Sequence, residues 1–365
     1  MDNPKKVIKN FRDARVVNYR ISLSPDGKNL AFSSVEDKKF HIYAIPVKGG
    51  EPKRLVDIQS REPSFSPDGK MIAFVEDQFL GRFGGSLWTI SASGGSPALV
   101  AESKNASSPV WSPDASKIAF LDSDETPVIN IITVDQDGNP TGEKTTIEAP
   151  EGRLVRLLTG WSTDNKIGTL MLSKPELALY TLPEQGGQAA IIHYGSGSQP
   201  RWSPDGKQIF FTKNYNQDTI PPNRALSVIP AEGGEGRDIL VGSEDRVFFW
   251  PFSAGIRISP DGKKIVMAAE SYDNTVLIDK EPTMQIWTTT VEGENLTQIT
   301  EPDVPFTDFS PCWSPDGKSI AFGRTKLQEA QSDKTKETGI YIINSSGGTT
   351  KLLKSESDKW INSIT

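Results

Sequence analysis

The sequence has little of what metal and nucleophilic chemistry most often use. Its 365 residues include two histidines, His41 and His193, and one cysteine, Cys312. That is too few for a multi-histidine metal centre or a cysteine zinc site, and a lone cysteine cannot form an internal disulfide. No metal and no cofactor is therefore expected. The Gly-x-Ser-x-Gly word of a strained nucleophile turn does not occur, and the nearest strings, Gly195-Ser196-Gly197-Ser198 and Gly242-Ser243, lack its spacing. No apolar run reaches the length of a membrane span, so no membrane insertion is expected. Met1 to Arg20 is polar and holds no apolar core of a signal peptide. A basic excess is also missing. The 40 Lys and Arg against 47 Asp and Glu give a net charge of −7, which argues against a nucleic-acid partner.

What the chain does have is turns, with 31 Gly and 26 Pro. One word recurs. It reads Ser24-Pro25-Asp26-Gly27-Lys28, Ser66-Pro67-Asp68-Gly69-Lys70, Ser203-Pro204-Asp205-Gly206-Lys207, Ser259-Pro260-Asp261-Gly262-Lys263 and Ser314-Pro315-Asp316-Gly317-Lys318. Two variants complete seven copies: Ser112-Pro113-Asp114-Ala115-Ser116-Lys117, taken as a one-residue insertion, and Ser162-Thr163-Asp164-Asn165-Lys166. The starts lie 42, 46, 50, 41, 56 and 55 residues apart. A period of roughly 40 to 50 is that of a β-propeller blade. Proline sets the first corner of a tight turn, aspartate bonds a backbone N–H two residues on, and glycine supplies positive φ.

Strand patterns flank each turn. Ile72-Ala73-Phe74, Ile118-Ala119-Phe120 and Ile320-Ala321-Phe322 alternate with the period of two expected between stacked sheets. Trp111, Trp161, Trp202 and Trp313 precede turns at one repeat position and are expected to pack between blades. A second turn, such as Gly49-Gly50, Gly94-Gly95 or Gly347-Gly348, joins a third strand to a fourth. The expected fold is all-β: a seven-bladed β-propeller of four-stranded antiparallel blades, rather than six or eight. It forms a single domain over residues 1–365, with repeats over about 19–355. The end segments 1–18 and 356–365 are left over, and one of them is expected to close the ring by pairing with an end blade.

Repeats of this W-S-P-D-G-K-x-I-A-F form resemble the propeller of the TolB family and of the prolyl oligopeptidase and dipeptidyl peptidase IV family. The peptidases of that family carry a hydrolase domain with the Gly-x-Ser-x-Gly word; the lack of that word here, in a chain filled by repeats, leads to the expectation of a propeller without one. The resemblance implies a periplasmic or secreted location. Oligogalacturonate lyase is similar too, but its metal site uses several histidines. Here His41 falls on the third strand of the first unit and His193 at the end of the fourth strand of the fourth unit, so they are not expected to meet.

Loop lengths carry the functional expectation. In such a blade the turns between strands 1 and 2 and between 3 and 4 lie on one face and are short, with a modest extension at Asp135 to Gly142. Connections on the other face vary, including 76–85, 214–224, 242–255, 271–283, 301–308 and 325–338. Insertions confined to one face mark where function sits on a scaffold. Arg246, Phe248, Phe249, Trp250 and Phe252 form one aromatic and arginine cluster there, and Phe79, Arg82 and Phe83 a second. Such clusters have the composition of binding hot spots. The expected function is a non-enzymatic, monomeric scaffold that binds a protein or peptide. The rivals are a carbohydrate-active hydrolase or lyase, using face carboxylates such as Glu76, Asp77, Asp218, Glu270, Asp273 and Asp308, and the detached propeller of a prolyl oligopeptidase-type peptidase.

Overall fold

The Ser-Pro-Asp-Gly words fold as the turn chemistry requires. Ser24 Oγ donates to Asp26 Oδ1 at 2.7 Å and accepts from Asn29 N at 2.9 Å, while Asp26 Oδ1 accepts from Lys28 N at 3.0 Å. Gly27 takes φ +70°, and Ala115 and Asn165 adopt the same left-handed backbone at +61° and +62°. The turn at Ser112 holds no insertion. Ser116 N bonds Asp114 and Lys117 N bonds Ser112 Oγ, as Lys28 and Asn29 do in the first copy. The departure lies at Ser162, whose Oγ is met by Lys166 N one residue earlier than elsewhere.

A computed structural model describes residues 22–36, 39–77, 85–123, 126–151, 153–173, 176–194, 200–216, 223–242, 255–270, 284–300, 306–326, 338–349 and 351–352. They form seven antiparallel sheets of four strands, each sheet taking its strands consecutively from the chain. The blades span 22–54, 60–101, 106–148, 154–194, 201–241, 257–298 and 306–352. No described sheet borrows a strand from a distant part of the chain. The expectation that an end segment closes the ring lies outside the described residues.

The Ile-Ala-Phe pattern sets which side of a blade meets which neighbour. On the second strand of blade 2, Ile72 and Phe74 pack with blade 1 residues such as Ile42, whereas Ala73 packs with Trp111 and Ile118 of blade 3. The large residues face the preceding blade and the small one faces the next. The small residue makes room for a large one on the next blade's first strand: Ala31 with Phe65, Ala73 with Trp111 and Ala119 with Trp161. In blade 4 the small residue is Gly168, where a Cβ would stand 2.8 Å from Trp202 Nε1. Blade 5 inverts the sizes, with Phe210 against Ile258. This is close packing by complementary volume.

The tryptophans bridge blades as expected. Trp111 Nε1 donates to Ser64 O of blade 2, and Trp313 Nε1 to Arg257 O of blade 6, each at 3.0 Å. Blade 7 meets blade 1 through one apolar cluster that holds Leu30, Phe32, Tyr43 and Ile45 together with Ile320, Phe322 and Tyr341. The first turns also touch around the ring. A Cβ on Gly69 would stand 3.3 Å from Pro25 Cδ, and one on Gly27 2.5 Å from Pro315 Cδ.

Candidate functional site: the variable-loop face

Antiparallel order puts the strand 1 to 2 and strand 3 to 4 connections of every blade on one face, and blade 3 has the longer one there, 134–144. The strand 2 to 3 connections and the links between blades leave from the other, where the insertions lie. Arg246, Phe248, Phe249, Trp250 and Phe252, and likewise Phe79, Arg82 and Phe83, lie outside the described residues, as do Asp218 and Asp273. What the structure gives is the framework from which those segments depart.

That framework is charged and buried. Asp308 was expected in a loop but lies in the first strand of blade 7, Phe306–Trp313, because pairing with the second strand extends to Phe306 opposite Lys326. It is 1% exposed and bound in two contacts by Arg324, Nε to Oδ1 at 2.5 Å and Nη2 to Oδ2 at 2.8 Å. The Arg324 guanidinium also lies over the rings of Phe322 and Tyr341, 5.4 and 5.3 Å from their centroids. Burial pushes the Asp308 carboxyl above the usual carboxylate range, while the hydrogen bonds and charge of Arg324 oppose the rise. Around the pair, Thr307 Oγ1 accepts from Met284 N, and Thr300 Oγ1 accepts from Ile286 N. The segments 271–283, 301–305 and 327–337 thus all depart within a few residues of one hydrogen-bonded hub between blades 6 and 7.

Blades 2 and 3 carry a second buried linkage near this face. Glu62, at φ +56°, presents its carboxylate to Ser108 N of blade 3 at 2.8 Å. Arg61 Nη1 lies 3.6 Å from Glu62 Oε1. Asp77 is 1% exposed, and its backbone N–H bonds Gln59 O at 2.7 Å. The face carboxylates Asp77 and Asp308 are therefore buried in the fold rather than solvated in loops. Arg61, Glu62 and Arg324 were not among the residues expected from sequence. A signal was available for Glu62, because a proline follows it, as one follows the left-handed Ser108 and Ser310 at the same repeat position.

The histidines stand in blades 1 and 4, as expected. His41 Nδ1 lies 3.3 Å from Ile58 O. The His193 ring packs on Phe211 of blade 5, centroids 4.8 Å apart, and burial, reinforced by the charge of Lys213 and opposed by Asp238, lowers its pKa. Cys312 is buried, and burial pushes its thiol up to about 11. Among the described residues no three His, Cys, Asp or Glu side chains are placed to hold a metal ion.

Repeat, ring and face define a class before any comparison: a β-propeller scaffold with one elaborated face. The family model of the TolB β-propeller domain matches residues 4–153. That part of the chain is similar to a TolB propeller; the described residues as a whole form seven blades and hold no hydrolase domain. It is similar to an uncharacterized peptidase, YuxL, of Bacillus subtilis, 26% identical over 205 residues, covering 53% of this chain and 29% of that protein. The chain spans about a third of the length of the curated relatives it matches. Two solved structures share the fold. The β-propeller domain of the Trilobed protease from Pyrococcus furiosus has a TM-score of 0.63 at 15% identity, covering 94% of this chain and 100% of that one. An oligogalacturonate lyase in complex with manganese has 0.61 at 15% identity, covering 93% and 98%. The described residues do not assemble a manganese site: the two histidines are three blades apart, and the buried carboxylates of Glu62 and Asp308 bond a backbone N–H and an arginine.

Proposed function

We propose that the chain is a non-enzymatic scaffold that binds a protein or peptide on its variable-loop face. The observation that carries this reading is topological: the repeated short turns share one face, while connections on the other vary from two residues, between Glu36 and Lys39 and between Ser173 and Glu176, to thirteen between Glu270 and Met284. A scaffold that varies one face while repeating the other is built for recognition. Arg246, Phe248, Phe249, Trp250 and Phe252 are the first contact cluster, and Phe79, Arg82 and Phe83 the second. The aromatics supply desolvated area and the arginines a directional hydrogen bond. The TolB resemblance supports a periplasmic or secreted setting. The test replaces Phe249 and Trp250 with Ala and compares thermal melting with capture of partners by crosslinking from the native envelope fraction. Unchanged melting with lost crosslinks supports the reading. Much earlier melting, with partners still captured by the folded fraction, assigns the cluster to packing.

A second reading has one observation in its favour. The likeness to YuxL extends over 53% of this chain but only 29% of that protein, which suits a propeller that serves a peptidase. Fluorophosphonate labelling of the native gene product tests it, since a labelled serine requires a hydrolase domain that the described residues do not contain.

A further inference from the structure

One ionisable side chain stands at a seam position that other blades fill with an apolar one. In blades 2, 4 and 5 the outer strand is bulged where it pairs with the third strand. A bulge re-aims the side chains beside it. In blade 2 the residue that follows the bulge is Ala101, paired with Leu87, and in blade 5 it is Leu240, paired with Leu226. Each packs in the apolar cluster shared with the next blade. In blade 4 the equivalent residue, paired with Leu179, is His193. Leu179 and the bulged Ile192 belong to the cluster of the blade 4–5 seam, so the register turns His193 toward blade 5. Its ring packs there on Phe211, centroids 4.8 Å apart.

We propose that the seam between blades 4 and 5 is a pH-sensitive joint, closed while His193 is neutral and loosened when its ring takes up a proton. Phe211 and Lys213 alternate onto the same side of the second strand of blade 5, Gln208–Asn216. Lys213 Nζ pairs with Asp238 Oδ1 at 2.7 Å, and that oxygen also accepts from Ser227 Oγ at 2.7 Å. Among the described residues Lys213 and Asp238 are the charges that act on the His193 ring, the first resisting its protonation and the second favouring it. A proton on the ring sets a second cation beside Lys213 and divides one carboxylate between the two. The charged ring also resists burial against Phe211. Both effects part the outer strand of blade 4 from blade 5. Burial first, and Lys213 second, keep the folded ring harder to protonate than a free histidine. The unfolded chain therefore binds the proton first, and the seam loses stability as pH falls below about 6.5. The joint is independent of what the variable-loop face binds.

Amide exchange between about pH 7.5 and pH 5.5, expressed as protection relative to the intrinsic rate, tests it. Protection along Ala190–Tyr194 and Gln208–Asn216 should fall below about pH 6.5, by at most about tenfold per pH unit for one proton. Protection at the blade 2–3 seam, along Ala98–Ala101 and Lys117–Asp122, should change less. His193→Leu gives blade 4 the residue of blade 5 and should remove the pH dependence while keeping the seam protected. In the wild type, NMR titration of the His193 ring provides a second reading that needs no variant. Its midpoint should lie below that of a free histidine and move up in Lys213→Met. Equal loss at both seams, no loss down to pH 5.5, a pH dependence that survives in His193→Leu, or a ring that titrates at or above the free value would overturn the proposal.

Discussion

Pro315 of blade 7 lies against Gly27 of blade 1, so close that a Cβ on Gly27 would stand 2.5 Å from Pro315 Cδ. The two residues belong to the last and first repeats of the chain, and their contact is the turn-face end of the seam that closes the ring. Gly317, the equivalent glycine of blade 7, has nearly the same φ, +67° against +70°, but a Cβ there would meet no atom within 4 Å. Alanine at either site incurs the left-handed backbone penalty of roughly 1–2 kcal/mol. Only Gly27→Ala also pushes the seam apart. Urea denaturation should therefore show Gly27→Ala losing distinctly more stability than Gly317→Ala. Equal losses would mean that Pro315 simply moves aside.

The inverted pair in blades 5 and 6 gives a volume test. Phe210 is 1% exposed and packs with Ile258 where other interfaces set a small residue against a tryptophan or phenylalanine. Phe210→Ala should cost about 3–5 kcal/mol by opening a cavity. Adding Ile258→Trp restores the arrangement of blades 2 and 3 and should recover part of that loss. A double variant no more stable than the single one would show that the interface is not read by volume alone.

The buried Asp308–Arg324 pair should behave as a unit. Arg324→Leu leaves a carboxylate stranded at a site 1% exposed, and removing one partner of a buried pair costs roughly 3–5 kcal/mol. The double variant Asp308→Asn with Arg324→Leu should be more stable than Arg324→Leu alone, a non-additivity that a double-mutant cycle in chemical denaturation measures. The same single variant should raise amide exchange at Met284–Ile286 and Phe306–Asp308, where the neighbouring segments join the hub.

The turn aspartates set the acid response. Asp26 is held down to about 2 by the hydrogen bond from Ser24 and then by that from Lys28 N. Serine is likewise the leading cause at Asp205, Asp261 and Asp316. At Asp68 and Asp164 burial raises the carboxyl, but the hydrogen bonds outweigh it and the net shift is again downward. A folded-state pKa below the unfolded value contributes stability that is complete above about pH 4 and disappears as pH falls through the folded value. Asp308, shifted upward, acts in the opposite direction, but it is one group against the turns. Stability should fall between about pH 4 and pH 2. The deficit of Asp26→Asn relative to wild type, measured by urea midpoints, should be present at pH 5 and vanish near pH 2.

The seven turn words, their spacing and the Ile-Ala-Phe alternation were enough to determine blade number, strand order and the short-turned face. Those features depend on local chemistry: a proline corner, an aspartate that caps its own turn, and a period of two that repeats with the blade. They even set the packing direction, since large and small residues on one strand necessarily face opposite neighbours. Tertiary structure alone decided what the charges do. Asp308 and Asp77 sit in sequence beside loops and look solvated, yet both are buried, Asp308 because strand pairing sets Arg324 against it and the preceding blade brings up Thr300. Arg324 lies sixteen residues from Asp308 in the chain, and no local pattern links them. Nor does the sequence single out the contact of Gly27 with Pro315, whose turns are nearly the whole chain apart and meet only because the seventh blade returns to the first. The aromatic and arginine clusters remain candidates from sequence, while the buried Asp308–Arg324 pair beneath neighbouring connections of that face could be found only in three dimensions, where burial raises the cost of every unpartnered charge.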